Sequence, residues 1–260
     1  MLKTYNQNIE RLIEYIGNNY DECLYLYLNL IKYGFSNPNI KVWIEEENDS
    51  ISCIVLKYYT GMHVFSKDKN LNIEDVIDLI IKEQPTIICS EKRIIEELMP
   101  YLKTDYNSEI GWVRCMNKKY ECNNEEVQIA KEKDLYECSE LIMKDEDMSS
   151  SYTLDELYKQ IKVRNVEKYG RNYMIKDNDK IIAHASTGAE SEKVGVLTHV
   201  MVDFDYRGKG YATKVCSKLC NDLIDEGKSI YLINYTNEST RLYDKLGFTI
   251  SCEFGKLYRK

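Results

Sequence analysis

The chain has 260 residues, enough for one large domain or for two of about 130 residues each. Apolar residues make up 43% and charged residues 30%, and the scarcity of glycine (12) and proline (3) excludes collagen-like and linker-dominated chains. The net charge is −8, and both halves are acidic, with 14 Lys/Arg against 18 Asp/Glu in residues 1–120 and 21 against 25 in residues 121–260. Because nucleic-acid binders carry a basic face, we expect no nucleic-acid partner.

The first half of the chain predicts a helical start followed by alternating strands and helices. Leucines and isoleucines fit helical faces through the first thirty-odd residues, with Gly34 as the stop. Two strands follow in KVWIEEENDSISCIVLKYY, joined by a polar turn at 47–50. An amphipathic helix is predicted over 71–83, then a short buried strand, PTIICS, and a helix that Ser90 caps and Pro100 ends. The segment IGWVRCMN reads as a further strand.

The polar, non-periodic segment 118–126 is the predicted boundary between two domains, 1–120 and 125–260. After it the sequence predicts two helices, the second over 154–168 and opened by a capping box, then the hairpin NYMIKDNDKIIAHAST and the long strand KVGVLTHVMVD. A glycine-bearing loop, YRGKGYA, opens a helix over 210–226. The strand SIYLINYT, the helix NESTRLYDKLG and a final strand or two in FTISCEFGKLYRK follow.

The composition also bears on compartment and metals. The N-terminal segment MLKTYNQNIERLIEYI is polar and does not read as a secretory signal, and the most apolar stretch, 23–31, is about half the length that spans a bilayer. The nine cysteines form no C-x-x-C pair and no zinc-ligand spacing with histidine. We expect a cytoplasmic protein with no membrane partner and no metal.

The two halves share a pattern that predicts an internal duplication. VWIEEENDSISC (42–53) and YMIKDNDKIIAH (173–184) are each a strand, an Asn-Asp turn and a strand. In both halves helices precede this hairpin, and strand, helix, strand and helix follow it. The segment 62–80 takes the place of the glycine loop in the first half and contains no glycine.

The loop YRGKGYA (206–212) carries the chemistry that the sequence predicts. Without Cβ atoms at Gly208 and Gly210, consecutive backbone N–H groups can crowd around an anion, and the following helix adds four unpaired N–H groups and a partial positive charge. Arg207 and Lys209 add mobile positive charge. The loop therefore predicts a diphosphate cradle, although a tight turn without a ligand has the same residues.

Two other phosphate-binding motifs do not fit. A dinucleotide-binding G-x-G-x-x-G would need glycine or alanine where Thr213 stands, and no acidic ribose ligand follows at the required distance. The G-x-x-x-x-G-K-[ST] loop of nucleotide triphosphatases is absent.

Two blocks of the second half resemble a known family. VMVDFDYRGKGYATKV is similar to the Gln/Arg-x-x-Gly-x-Gly/Ala signature of the GNAT superfamily of acyl-CoA-dependent N-acyltransferases, with Arg207, Gly210 and Ala212 at its three defining positions. NESTRLYDKLGF (237–248) resembles the family's Asn…Leu-Tyr-Glu-Lys-x-Gly-Phe block. The resemblance covers residues 125–260.

The resemblance implies a fold and a division of labour. We expect an α/β (α+β) protein of two GNAT-like lobes, each a mixed, mostly antiparallel sheet flanked by helices. The first lobe would be a degenerate copy that lacks the cofactor loop, does not bind CoA, shapes the acceptor cleft and covers a face of the catalytic lobe.

The resemblance also implies roles for individual residues. The strand before the loop would pair through its main chain with the pantetheine arm of acetyl-CoA, as an added strand does. Asn237 would hydrogen-bond the same arm, or only cap the helix that follows it. Tyr243 would protonate the departing CoA thiolate, or only pack under Phe248. The implied cofactor-binding residues are Val200, Met201, Val202, Arg207, Gly208, Lys209, Gly210, Tyr211, Ala212, Thr213 and Asn237.

An ammonium ion does not attack a thioester, so the acceptor needs a base or must arrive neutral. His199 lies in the strand before the loop and could serve as that base, although a packed or surface histidine fits the same position. The expected reaction is acetyl transfer from acetyl-CoA to a primary amine by direct attack in a ternary complex. We expect a small-molecule acceptor, because neither half shows a long basic or repetitive docking surface, and a monomer or homodimer.

Two alternative functions remain open at this point. One is a Fem-like aminoacyltransferase, which pairs two such lobes and uses charged tRNA. The other is a non-catalytic CoA-binding sensor or scaffold.

Overall fold

A computed structural model describes residues 1–67, 71–235 and 240–260, and it divides the chain into two compact units. The first unit comprises Met1–Arg114, Ile233–Thr236 and Ile250–Lys260, and the second comprises Cys115–Leu232 and Asn237–Thr249. The change of unit after Arg114 lies a few residues before the predicted boundary in 118–126. The C-terminal segment from Ile250 onwards, however, belongs to the first unit and not to the second, although the sequence predicted one domain over 125–260.

The first unit is built on a mixed sheet with helices packed against it. Its elements are β1 (Lys3–Thr4), α1 (Ile9–Ile16), α2 (Leu24–Tyr33), β2 (Ile40–Glu47), β3 (Ser50–Tyr58), β4 (Gly61–Phe65), α3 (Ile73–Glu83), β5 (Ile87–Glu91), α4 (Lys92–Leu102) and β6 (Tyr106–Met116). Strands β1 to β4 pair antiparallel in sequence order, and β4 pairs parallel with β5. Helices α3 and α4 contribute buried aliphatic side chains to the core beneath these strands.

The second unit repeats this arrangement. Its elements are β7 (Gln128–Ile129), α5 (Leu135–Ile142), α6 (Glu146–Ser151), α7 (Leu154–Val166), β8 (Asn172–Asp177), β9 (Lys180–Glu190), β10 (Val194–Val202), α8 (Tyr211–Asp225), β11 (Ser229–Asn234) and α9 (Thr240–Leu246). The last strand of the chain, β12 (Thr249–Arg259), belongs to the first unit from Ile250 onwards. Strands β7 to β10 pair antiparallel in order, and β10 pairs parallel with β11. Helix α8 covers one face of this sheet, while α5 and α7 cover the other.

The predicted duplication and fold class are confirmed by these matching topologies. Both hairpins turn on an Asn-Asp pair, and all four turn residues have positive φ: 49° and 62° at Asn48 and Asp49, 47° and 71° at Asn178 and Asp179. Two consecutive residues with φ > 0 are what a two-residue hairpin loop requires, and asparagine and aspartate tolerate that conformation. The shared turn chemistry therefore produces the same hairpin twice.

The last strand of the chain forms as predicted, but it joins the sheet of the first unit. FTISCEFGKLYRK forms β12, which pairs antiparallel with β5 through Phe254–Tyr258 and so extends the sheet of the first unit. A Cβ at Gly255 would lie 2.7 Å from the Ile110 side chain and 2.9 Å from that of Ile95, so only glycine fits this crowded position. Strand propensity is visible in the sequence, but the edge that a strand joins depends on distant residues.

Two boundary predictions for α4 are wrong. Ser90 lies in β5 and does not cap the helix: its hydroxyl donates to the Val64 carbonyl at 2.7 Å, while Glu91 occupies the N-cap position. Pro100 lies inside α4, which continues to Leu102. A proline this close to the C terminus of a helix removes one hydrogen bond and leaves little helix after it to kink.

Candidate active site

Strand β10 is irregular at the residues for which the sequence predicted cofactor contacts. Its pairing with β9 shifts register between Thr198 and Met201, and His199 within this bulge has a φ of 48°. In the described part of the chain, the parallel pairing of β10 with β11 ends at Val196–Tyr231. From Leu197 onwards no pairing of β10 with β11 is described, which leaves the β11-facing edge of β10 available for an added strand.

The loop after β10 leads directly to the N terminus of α8. Gly208 and Gly210 have φ values of 80° and 84°, in the left-handed region that glycine adopts without strain. A Cβ at either position would meet no described atom within 4 Å, so the space above the loop is open. No side chain caps α8, and its first turn contains no acidic residue. The first N–H groups of the helix and its positive dipole end thus face this space.

Arg207 and Lys209 are exposed but more restrained than the sequence predicted. The Arg207 Nε donates to the carbonyl of Val202 at 3.2 Å, and its guanidinium lies 4.2 Å from the centre of the Phe204 ring. The Lys209 ammonium lies 4.9 Å from the centre of the Tyr206 ring. Arg207 therefore fastens the loop to the end of β10.

A cleft of about 370 Å³ opens between the end of β10, the loop and α9. A volume of this order is typical of small-molecule sites. It brings together the two sequence blocks, because α9 contributes Leu242 and Tyr243 from the second block. The predicted residues that line it are Val200, Met201, Val202, Arg207, Gly208, Gly210, Tyr211, Ala212 and Tyr243.

Three of the predicted residues do not have the expected place in the cleft. Lys209 and His199 are not among the described residues that line the cleft. Thr213 is buried within α8, so only its main chain belongs to the helix N terminus. Asn237 lies outside the described residues.

Comparison with known proteins places the chain in a family. Residues 37–257 match the family model described as GNAT acetyltransferase, which is more than half of the chain. The chain belongs to the GNAT acetyltransferase family. It is accordingly an acyltransferase, and the resemblance noted in the second half extends over most of the first. None of the curated proteins matches the chain.

Solved structures share the fold of this GNAT chain over its whole length. A GNAT-family acetyltransferase from Colwellia psychrerythraea is 13% identical with a TM-score of 0.62, and each chain is covered to 100%. A GCN5-related N-acetyltransferase from Sphaerobacter thermophilus is 13% identical with a TM-score of 0.64, covering 100% of this chain and 95% of that one. A tandem GNAT protein from the clavulanic acid biosynthesis pathway is 9% identical with a TM-score of 0.61, covering 100% and 98%. At these identities the likeness concerns the fold.

Tyr243 packs against Phe248 and also lines the cleft, a position compatible with both roles that the sequence left open. Its half-buried ring packs edge-on against Phe248, with centroids 5.8 Å apart and planes at 72°, and the residue also lines the cleft. The aromatic contact fixes the ring, so the hydroxyl has a restricted position relative to the cleft.

His199 has the properties of a packed histidine. Burial, together with the neighbouring His184 and Arg164, lowers the pKa of His199 to about 3. Its Nδ1 lies 3.1 Å from the Ser186 hydroxyl. A general base works best with a pKa near the working pH, so a value this low makes the ring a weak proton acceptor.

Sequence reasoning missed an ion cluster at the start of the loop. Asp203 follows β10 and is buried, and its carboxylate accepts hydrogen bonds from Lys144 at 2.7 Å and Lys180 at 2.8 Å. These lysines hold the pKa of Asp203 well below its usual range. The cluster ties the loop to the α5–α6 connection and to the β8–β9 turn. The three residues are distant in sequence, so no local pattern could have revealed it.

The corresponding helix terminus in the first unit has the opposite electrostatic character. The Asn72 side chain caps α3, and Glu74 and Asp75 lie in its first turn. The N-terminal amine of Met1 forms an ion pair with Asp75 at 3.0 Å. Since carboxylates already complement this helix dipole, a phosphate there would meet like charge.

The described part of the chain contains neither a cluster of metal ligands nor a membrane-spanning helix. In residues 1–67, 71–235 and 240–260, no three His, Cys, Asp or Glu side chains group in a way that would hold a metal ion. Over the same described ranges, no helix has both the length and the apolar character needed to cross a bilayer.

Proposed function

We propose that the second unit transfers an acetyl group from acetyl-CoA to a primary amine of a small molecule, by direct attack in a ternary complex. One observation carries this proposal, the set of features that border the cleft. They are the N terminus of α8, which no side chain caps, and two glycines with positive φ and open space above them. The same cleft reaches Tyr243 and the part of β10 beyond its pairing with β11. The contrast with α3, whose N terminus is capped and acidic, supports an anion site on α8 alone.

The residues present fit acetyl-CoA as substrate. In this proposal the N–H groups of the loop and of the first turn of α8 hold the pyrophosphate, and Arg207 adds positive charge beside it. The main chain of β10 from Val200 to Val202 pairs with the pantetheine arm as an added strand would. The side chain of Asn237 hydrogen-bonds the same arm. The first unit binds no CoA.

The chemistry assigned to this unit needs stabilisation of two developing charges. The nitrogen–carbon bond forms as the amine attacks, the carbon–sulfur bond then breaks, and the electron pair leaves with sulfur. A β10 N–H group near the carbonyl oxygen stabilises the first charge, and the Tyr243 hydroxyl gives its proton to the thiolate. We do not assign a base to the attacking amine, since a pKa of about 3 makes His199 unsuitable. The amine reacts in its neutral form after one proton has left to solvent. Once the nitrogen–carbon bond has formed, the nitrogen gives a second proton to solvent, and solvent returns a proton to Tyr243.

A small-molecule acceptor is favoured by charge. With a net charge of −8 and no basic half, the chain offers little attraction for nucleic acid. A cationic amine is drawn to an acidic protein. The proposal is for a monomer or homodimer acting on such an amine.

The test combines binding with an acceptor screen. Calorimetry on the full chain should detect CoA, and Gly210→Asp should abolish that binding while the circular dichroism spectrum persists. Free-thiol release from acetyl-CoA would then be followed with polyamines, amino acids, aminoglycosides and peptide N termini. Thiol release with a small amine supports the proposal. Absence of CoA binding overturns it, and transfer from charged tRNA alone would establish the aminoacyltransferase alternative.

A further inference from the structure

A buried polar group lies against the β10 bulge and has no part in the mechanism above. His184, on β9, has no exposed surface and lies opposite Met201 in the strand register. Its Nδ1 is 2.9 Å from the carbonyl oxygen of His199, and its Nε2 is 3.1 Å from the side-chain oxygen Oδ1 of Asn172. A fully buried imidazole with both nitrogens engaged is held in one orientation.

These contacts define the protonation state of the ring. A carbonyl oxygen only accepts, so Nδ1 carries the hydrogen and donates to His199. Burial lowers the pKa of His184 to about 4, which keeps the ring neutral at physiological pH and leaves Nε2 as an acceptor. Nε2 then faces Oδ1 of Asn172 as one acceptor against another. A side-chain amide can turn by 180° whereas a main-chain carbonyl cannot, so we infer that Asn172 turns its NH₂ group towards Nε2 and the ring keeps its hydrogen on Nδ1.

The acceptor of this hydrogen bond lies in the strained part of β10. His199 has a φ of 48°, in the left-handed region that is strained for a residue with a Cβ. It occupies the register shift between Thr198 and Met201. The adjacent Thr198 carbonyl accepts from the Ser186 hydroxyl at 3.3 Å. Two side chains of β9 thus replace the regular strand pairing that the bulge removes.

We propose that His184 is a positioning residue that holds the β10 bulge and thereby sets the direction in which the main chain from Val200 to Val202 meets the cofactor arm. This inference rests on the proposed function, because it assumes that acetyl-CoA lies along β10. Without the donor on His184, the carbonyl of His199 would lose its hydrogen bond from this ring, and regular antiparallel pairing would compete with the bulge.

Matched variants separate positioning from simple packing. Asparagine places its side-chain NH₂ near the site of the imidazole Nδ1, so His184→Asn retains the donor, whereas His184→Leu removes it and keeps an apolar side chain. His63→Leu is the control, because His63 is also a histidine that burial keeps neutral, with its pKa lowered to about 4, but it lies on β4 of the first unit.

The experiment measures CoA affinity by calorimetry and the kinetics of thiol release. We expect His184→Leu to weaken CoA binding and raise KM for acetyl-CoA about tenfold or more, and His184→Asn to stay within about threefold of the wild type. His63→Leu should bind CoA as the wild type does. Wild-type affinity in His184→Leu, or equal losses in the Asn and Leu variants, would overturn the inference. Failure of the wild-type chain to bind CoA would overturn the proposed function instead.

A measurement on the unaltered chain covers the case in which His184→Leu does not fold. Nitrogen-15 NMR of the imidazoles distinguishes the Nδ1–H from the Nε2–H tautomer. The inference requires the Nδ1–H tautomer for His184 between pH 6 and 8, with a hydrogen-bond coupling to the His199 carbonyl. The Nε2–H tautomer would refute it.

Discussion

Replacing Gly210 separates the backbone requirement of the loop from its role in binding. Gly210 has a φ of 84° and a ψ of 4°, and an added Cβ would meet no described atom within 4 Å. Alanine there suffers no clash within the protein, so its cost is the left-handed conformation alone, about 1 kcal/mol. For a chain of this size that corresponds to a fall in Tm of about 3 °C. Stability should therefore change little.

Gly227 provides the matched control at the opposite end of the same helix. Its φ is 79°, and a Cβ there would likewise meet no described atom within 4 Å. Gly227→Ala should lower Tm by the same amount as Gly210→Ala. Of these two variants, only Gly210→Ala should change the affinity for CoA. Gly227 lies at the C terminus of α8, away from the proposed anion site.

The expected loss of CoA affinity follows from the negative charge that Gly210→Asp introduces. Gly210→Asp sets a carboxylate among N–H groups whose hydrogen bonds to a charged phosphate contribute about 1.5–3 kcal/mol each. Loss of two such bonds weakens CoA binding by more than about 100-fold. Calorimetric titration with CoA, beside thermal unfolding of all three variants, measures both effects. An unchanged Kd in Gly210→Asp would refute the pyrophosphate assignment.

Three further predictions concern catalysis, loop anchoring and pH. Tyr243→Phe keeps the aromatic packing and should lower kcat about 100-fold with CoA affinity within twofold, in steady-state and calorimetric assays; full activity would contradict the proposed proton donor. Asp203→Asn breaks the buried ion cluster and should reduce the unfolding free energy in urea by about 1–2 kcal/mol and weaken CoA binding, whereas wild-type stability and affinity would show that the cluster does not anchor the loop. Hydrogen bonds from Arg171 lower the pKa of Glu226 to about 2, so its stabilising contribution is complete above the ordinary value near 4.5 and is lost as pH falls towards 2. Glu226→Gln should therefore be less stable than the wild type above pH 5 and equal to it near pH 2, and a pH-independent difference would contradict this assignment.

Local chemistry made the phosphate loop and both hairpins predictable. Glycines at 208 and 210 indicated a loop whose main-chain N–H groups can approach an anion, and the Asn-Asp pairs indicated the turns of both hairpins. The order of the two blocks in the second half also placed Tyr243 at the cleft. These features are encoded within a few consecutive residues.

Features that depend on distant residues were not predictable. The bulge at His199 involves no glycine, and its supporting contacts come from β9, 13 and 15 positions earlier in the chain. The pairing of β12 with β5 joins residues about 160 positions apart, and an alternating strand sequence is compatible with either sheet edge. Local propensity specifies that a strand forms, while packing decides where it goes.

A crystal structure of the chain with CoA tests the central claim most directly. The account predicts pyrophosphate oxygens within hydrogen-bonding distance of the main-chain N–H groups between Gly208 and Thr213, with the pantetheine arm along β10. CoA bound elsewhere on the chain, or a cleft that stays empty at saturating CoA, would contradict it.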